Sequence, residues 1–86
     1  MPPETSEEKT LRNICEAIVK EPHAVEIRRS TDELGVLLEL TVAKDDMGKI
    51  LGKEGQTVKA IRTILRVVGM GNGARVNLKV LEPAAA

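Results

Sequence analysis

Four residues, Gly52-Lys53-Glu54-Gly55, separate the apolar pair Ile50-Leu51 from an amphipathic stretch that begins at Gln56. Two glycines at this spacing let the main chain turn sharply with no Cβ in the way, so its amides can approach an anion closely. A helix starting at Gln56 would aim its first unpaired N–H groups and the positive end of its dipole at the same point. The expected ligand is a phosphate of a nucleic-acid backbone. A G-x-x-G alone satisfies many unrelated loops, so the flanking chain has to carry the assignment.

The 86 residues are expected to form a single domain over 1–86, ordered from about 6 to 81 with 82–86 as a tail. At this size folding hides only about 60 % of the surface of the unfolded chain, too little for a deep catalytic cleft. None of the residues is Phe, Tyr or Trp, so the core must be packed from Val, Leu, Ile, Ala and Met. The same absence bears on function. Single-strand binders of the RRM, cold-shock and OB types stack bases on aromatic rings, and this chain offers no ring but His23. A formal net charge of +0 removes any global field that would draw in nucleic acid, so attraction has to be local. Between residues 44 and 66, Lys44, Lys49, Lys53, Lys59, Arg62 and Arg66 stand against only Asp45, Asp46 and Glu54, whereas the first 21 residues are acidic in balance. The basic excess therefore surrounds the glycine turn.

One cysteine, Cys15, cannot form an internal disulfide, and Met1-Pro2-Pro3-Glu4 lacks the basic and apolar segments of a signal peptide. No apolar run approaches the roughly 20 residues that cross a bilayer. A cytoplasmic location without membrane contact is the expectation.

Taken in order, Thr5-Ser6-Glu7-Glu8 matches a capping box with Thr5 as N-cap. Leu11, Ile14, Cys15, Ile18 and Val19 then form one apolar stripe until Pro22 forbids further helix, which makes Cys15 a buried, inert thiol. From Ala24 the period changes to two, and Thr31-Asp32-Glu33 supplies the turn of a hairpin. Its second arm places Val36, Leu38, Leu40 and Val42 on a buried face and Leu37, Glu39 and Thr41 on a wet one. Arg28 and Arg29 read as a solvated strand end, and His23 as an exposed turn residue. Asp45 or Asp46 should cap a short helix over Met47–Leu51. A longer helix follows from about Gln56 to Val68, with Val58, Ile61, Leu65 and Val68 as its packing face and Ile64 beside them. Lys59, Arg62 and Arg66 fall within an arc of about 60° on the adjacent side. Gly69-Met70-Gly71-Asn72-Gly73 should end this helix in a loop, and Val76, Leu78 and Val80 alternate in a third strand. All three strands are expected to bury one face under the helices. The hairpin strands pair antiparallel, and the third, reached by a right-handed helical crossover, pairs parallel with the second.

The stretch from Lys49 to Arg62, KILGKEGQTVKAIR, resembles the signature of the KH domain, an RNA-binding module in which an aliphatic pair precedes G-x-x-G and an amphipathic helix follows. The order of elements, α-β-β-α-α-β, is that of the type II, prokaryotic arrangement. More narrowly, Asp46-Met47-Gly48-Lys49-Ile50 and Lys59-Ala60-Ile61-Arg62-Thr63 resemble small stand-alone bacterial KH proteins of the KhpA (YlqC) kind. The likeness spans about residues 7 to 81 and is most specific over 45 to 66. It implies an α+β fold, a three-stranded mixed sheet with three helices on one face. It also implies that Gly52, Lys53, Glu54 and Gly55 contact a sugar-phosphate backbone of about four nucleotides. Ile50, Leu51, Val58 and the second strand would line an apolar groove for bases, and Lys49, Lys53, Lys59 and Arg62 would add phosphate contacts. The implied role is that of a bacterial RNA chaperone or post-transcriptional regulator that needs no cofactor and forms a homodimer or pairs with a KhpB (Jag)-like protein.

Competing readings are weaker on physical grounds. A protein-interaction module with the fold but little RNA affinity would suit the zero net charge, yet it would have no need of a close-approach backbone flanked by lysines. Single-stranded DNA would fit the same loop, since the contacts that distinguish the 2′-hydroxyl are not legible here. An enzyme is disfavoured. Gly48–Glu54 has three residues between its glycines where a P-loop needs four, and Glu54 where Ser or Thr should hold magnesium. The G-x-G-x-G of residues 69–73 leaves a helix and opens a strand, the reverse of a dinucleotide fingerprint. One His with one Cys cannot build a zinc site, so no metal is expected.

Overall fold

The capping box at Thr5 sets where the first helix begins. The computed structural model describes residues 4–83, and in it α1 spans Ser6–Ile18. Thr5 Oγ1 accepts from the Glu8 amide at 3.3 Å, and a Glu8 carboxylate oxygen accepts in return from the Thr5 amide at 3.3 Å. Leu11 and Cys15 are completely buried along the inner stripe, Val19 nearly so, and Ile14 and Ile18 pack at its margin. Burial pushes the Cys15 thiol up to about 11, which keeps it protonated and unreactive. The last three residues of the expected tail, 84–86, lie outside the described residues.

The hairpin consists of β1, Glu26–Asp32, and β2, Gly35–Thr41, paired antiparallel with Ile27 opposite Leu40 and Asp32 opposite Gly35. Two expectations need correction here. The turn is Glu33-Leu34 rather than Thr31-Asp32-Glu33, because the Asp32 carboxylate accepts the Leu34 amide at 2.7 Å and keeps Thr31 and Asp32 in the strand. Nor does β1 bury one face along its length. Val25, just before the strand, and Ile27 within it are the apolar contributions, and at the next core-facing position Arg29 reaches the buried Glu7 of α1, Nε to Oε1 3.2 Å. Burial pushes the Glu7 carboxyl up, but its own amide and the Arg29 guanidinium outweigh that and hold it below its usual value.

β3 spans Val76–Leu81 and adds to β2 in parallel, giving the order β1-β2-β3 with Val36 opposite Val76 and Leu40 opposite Val80. Val36, Leu38, Leu40 and Val42 are buried on one face while Leu37, Glu39 and Thr41 stay half-exposed on the other. On the buried face lie α1 and α3, Gln56–Gly71, with α2, Met47–Leu51, packed against α3. This is the α-β-β-α-α-β arrangement, an α+β fold with a mixed sheet covered on one side. Each fully buried leucine, Leu11, Leu38 and Leu40, contributes roughly 1.5–3 kcal/mol of burial, so aliphatic residues alone supply the core.

α3 is longer than its sequence suggests. Gly69 and Gly71 belong to the helix, and Asn72 is its C-cap. Gly69 is buried where the returning chain crosses: a Cβ there would lie 2.6 Å from Val76 Cγ2 and 2.7 Å from the Ala74 carbonyl oxygen. The glycines thus permit helix–strand contact rather than a loose loop. Ile64, placed beside the packing face by its spacing, is instead 43 % exposed, and Val68 is half-buried.

Candidate nucleic-acid interface

α2 stops at Gly52 because that residue takes φ 74° and ψ 174°, a conformation closed to residues with a Cβ. The Gly52 amide still donates to the Gly48 carbonyl at 2.8 Å, closing the helix. Gly52 also lies against the start of α3. A Cβ would sit 2.7 Å from Thr57 Cβ and 2.8 Å from the Thr57 amide nitrogen, and would collide with the Thr57 hydroxyl. Both conformation and space therefore demand glycine. Lys53–Gly55 then forms a single turn in which Gly55 N donates to the Gly52 carbonyl at 3.2 Å.

Two successive residues in this turn are left-handed, Glu54 at φ 56° and Gly55 at φ 74°. They reverse the chain so that the Lys53 and Glu54 side chains stand in solvent while α3 starts directly at Gln56. Gly55 is its N-cap and no side chain caps the helix. The amides of the first turn of a 16-residue helix thus face the glycine turn without an intramolecular side-chain acceptor. Such an end attracts negative charge.

Cations are arranged around it unevenly. Lys53, Lys59 and Arg66 are exposed and form no ion pair among the described residues. Arg62 is exposed too, and its Nε makes a long contact of 3.4 Å with the Leu78 carbonyl oxygen of β3. Lys49 lies 3.7 Å from Asp46 Oδ1, which commits part of its charge within the protein.

Asp46 itself does not cap α2, contrary to expectation; no side-chain cap is present there. Its carboxylate is turned inward and accepts the Lys20 and Glu21 amides, each at 3.0 Å, across 25 or more residues of sequence. Only 1 % exposed, it clasps the end of the α1 segment to the entry of α2. The Lys20 amide is the main cause of its lowered pKa, opposed by burial and assisted by the Glu21 amide and Lys49. A carboxyl whose folded-state pKa lies below the unfolded value stabilises fully above the unfolded value, and that contribution disappears as pH falls through the folded one. Replacing Asp46 by Asn, which loses one of the two amide acceptors, should lower Tm at neutral pH by on the order of 10 °C. The difference from wild type should begin to shrink as pH falls below the ordinary aspartate value of about 3.9 and disappear only once the lowered folded-state value is passed. Thermal melts across pH would refute the clasp if the two proteins melted alike at pH 7.

The apolar groove expected from sequence is not open where it was placed. Ile50 is 0 % exposed and Val58 6 % exposed, and both belong to the core beneath the turn; Leu51, 38 % exposed, is the one of the three at the surface. β2 cannot form a wall either, because β1 and β3 occupy its two edges and the helices cover its apolar face. The free sheet edge nearest the basic flank of α3 belongs to β3, as the Arg62 contact with Leu78 shows. The pairing read from sequence already made β2 the central strand; its place as a groove wall came from the family resemblance.

Comparison with known proteins gives the family. Residues 8–80 match the model of the KhpA/KhpB KH-domain family. The chain is 44 % identical over 72 residues to the RNA-binding protein KhpA of Chlamydia caviae, covering 84 % of this chain and 92 % of that protein. It is 37 % identical over 71 residues to the KhpA of Clostridium acetobutylicum, covering 83 % and 95 % respectively. To the KhpA of Listeria monocytogenes it is 33 % identical over 75 residues, covering 87 % and 99 %. Among solved structures, a crystal structure of Aquifex aeolicus Era bound to GDP and aluminium fluoride superposes with a TM-score of 0.62 at 18 % identity, over 88 % of this chain and 29 % of that one. At that identity the likeness is one of fold.

Proposed function

The chain belongs to the KhpA/KhpB KH-domain family, and from that premise we propose that it is a single-stranded RNA-binding protein that holds about four nucleotides at the turn Gly52–Gly55. The observation that carries the reading is the meeting of an uncapped 16-residue helix with a glycine turn that exposes Lys53. Backbone amides of the turn and of the first α3 residues take one phosphate, Lys53 and Lys59 neutralise it and its neighbour, and Arg62 serves a third. Leu51 offers an apolar contact to a base, while Ile50 and Val58 hold the turn from below. Lys49, partly engaged by Asp46, adds long-range attraction. The protein acts in the bacterial cytoplasm as an RNA chaperone or post-transcriptional regulator, by binding rather than catalysis. Among the described residues no helix is long and apolar enough to cross a membrane.

Three neutralised phosphates give a slope of about −2.1 in log K against log salt, or roughly a 20-fold loss of affinity between 50 and 200 mM. Anisotropy titrations with a labelled oligouridylate measure it directly. A flat dependence would remove phosphate contacts from the mechanism, and equal binding of the deoxy strand would move the reading toward nucleic acid in general.

The same proposal includes pairing with a second copy or with a KhpB (Jag)-like chain. Ala60, Ile64 and Val67 recur at helical spacing on the outer side of α3, with Ile64 43 % and Val67 64 % exposed. Apolar side chains so arranged on a helix face support association through that face. Replacing Ile64 and Val67 together by Asp should give a folded monomer in sedimentation equilibrium; a wild-type chain that is already monomeric at micromolar concentration would count against the homodimer.

A further inference from the structure

Five residues are too few for a helix to hold itself, so α2 takes its position from the chain around it. Gly48 faces open space, Lys49 and Leu51 are exposed, Met47 packs at the margin of the core, and Ile50 alone is sunk wholly into it. Burial of that kind is non-directional and sets the depth of a helix better than its rotation.

Direction comes from the residue that leads into α2. Asp46 Oδ1 accepts the Lys20 amide and Oδ2 the Glu21 amide, each at 3.0 Å, so the carboxylate is fixed at two points of one backbone segment. Among the described residues neither amide has another acceptor. At the opposite end of α2, Gly52 is pressed against Thr57, with no room even for a Cβ. The short helix is therefore fastened to the segment after α1 at its entry and abuts α3 at its exit, where the glycine turn begins. Amides grip an anion only while held within about 0.5 Å of the receiving geometry, and hydrogen bonds behind the contact supply that precision.

We propose that Asp46 is a positioning residue for RNA: by fastening α2 to the Lys20 and Glu21 amides it sets how the turn Gly52–Gly55 presents its own, and it couples occupancy of the turn to the order of the segment after α1. At 1 % exposed, Asp46 acts through the backbone and not by touching the strand. It also restrains Lys49, whose ammonium lies 3.7 Å from Oδ1. This rests on the RNA-binding reading of the turn and deepens it. The coupling is reciprocal: the factor by which the clasp tightens RNA binding is the factor by which RNA tightens the clasp.

Two measurements test it on the full chain, in the cold, where the variants are folded by circular dichroism. Asp46→Asn keeps one acceptor and turns an amide group toward the other N–H. It should bind a labelled oligouridylate about tenfold more weakly than wild type, within the usual coupling range of about 5–150-fold. Val36→Ala opens a cavity in the core at the far end of β2 and lowers stability without disturbing the clasp; it should bind within about twofold of wild type. Residue-resolved hydrogen exchange needs no variant. Saturating oligouridylate should slow the Lys20 and Glu21 amides about tenfold in wild type. It should leave unchanged the Leu34 amide, which is also held by a carboxylate, at 2.7 Å, but in the hairpin turn. In Asp46→Asn the RNA should no longer slow Lys20 and Glu21. Unchanged exchange at these two amides in wild type would overturn the coupling. So would slowing that persists in Asp46→Asn, which would mean direct contact with RNA, or equal affinities of Asp46→Asn and Val36→Ala. A wild type that binds no oligouridylate would instead overturn the RNA-binding reading itself.

Discussion

Replacing Lys53 and Glu54 together by Asp should reduce affinity for single-stranded RNA by about two orders of magnitude or more while leaving the melting temperature within a few degrees of wild type. The electrostatic part follows from the geometry of the turn. Lys53 stands in solvent beside the uncapped start of α3, and its replacement both removes a cation and sets a carboxylate where the phosphate would lie. Like-charge juxtaposition at an interface costs several kcal/mol, which converts to at least a hundredfold in affinity. The fold is spared for a specific reason. Glu54 already occupies the left-handed region at φ 56°, where Asp is more readily accommodated than Glu, and neither side chain packs against the core. Undiminished binding by this variant would take the turn out of the mechanism.

Gly52→Ala should be the more damaging of the two glycine substitutions in the turn, costing about 3 kcal/mol of stability. Its backbone conformation is one that residues with a Cβ reach only at a cost of roughly 1–3 kcal/mol. The added methyl would also overlap the Thr57 side chain and amide, forcing the start of α3 to move. For a domain of this size, whose whole stability is on the order of 4–13 kcal/mol, that is a large share, equivalent to a fall in Tm of about 15 °C. Gly55→Ala provides the contrast. It meets nothing within 4 Å, so only its left-handed φ of 74° opposes the change, at about 1 kcal/mol. RNA affinity should fall with both, since both alter how closely the amides approach a phosphate, but only Gly52→Ala should shift α3. Equal melting temperatures for the two variants would show that the contact with Thr57 is not tight in solution.

How far the sequence could be read depended on whether the relevant physics was local. Thr5 and Glu8 stand three residues apart and make the helix start they announce. The alternation of Val36, Leu38, Leu40 and Val42 shows directly as a buried face, and the switch from period two to helical spacing placed the glycine turn between helices. Asp46 misled because a carboxylate beside a helix start is indistinguishable, in sequence, from one that turns away to bind amides 25 residues earlier. Periodicity set Val58 on the packing face, where it is buried, whereas the groove role of Ile50 and Val58 came from the family resemblance alone: aliphatic residues beside a binding loop are as apt to support it as to face the ligand. The role of Gly69 required the crossover itself, since only the return of the chain into β3 brings Ala74 and Val76 against it.

The weak apolar content of β1 also governs which parts of the molecule open first. Past Ile27 that strand is held by its ladder with β2 and by the Arg29–Glu7 pair, so its amides should exchange with solvent deuterium through local fraying. β2, buried between two neighbours, should give up its amides only when the whole domain unfolds. Because α2, the turn and α3 connect β2 to β3 and not to β1, the arm that frays is the one the interface does not depend on. β1 can breathe without loosening the grip on RNA.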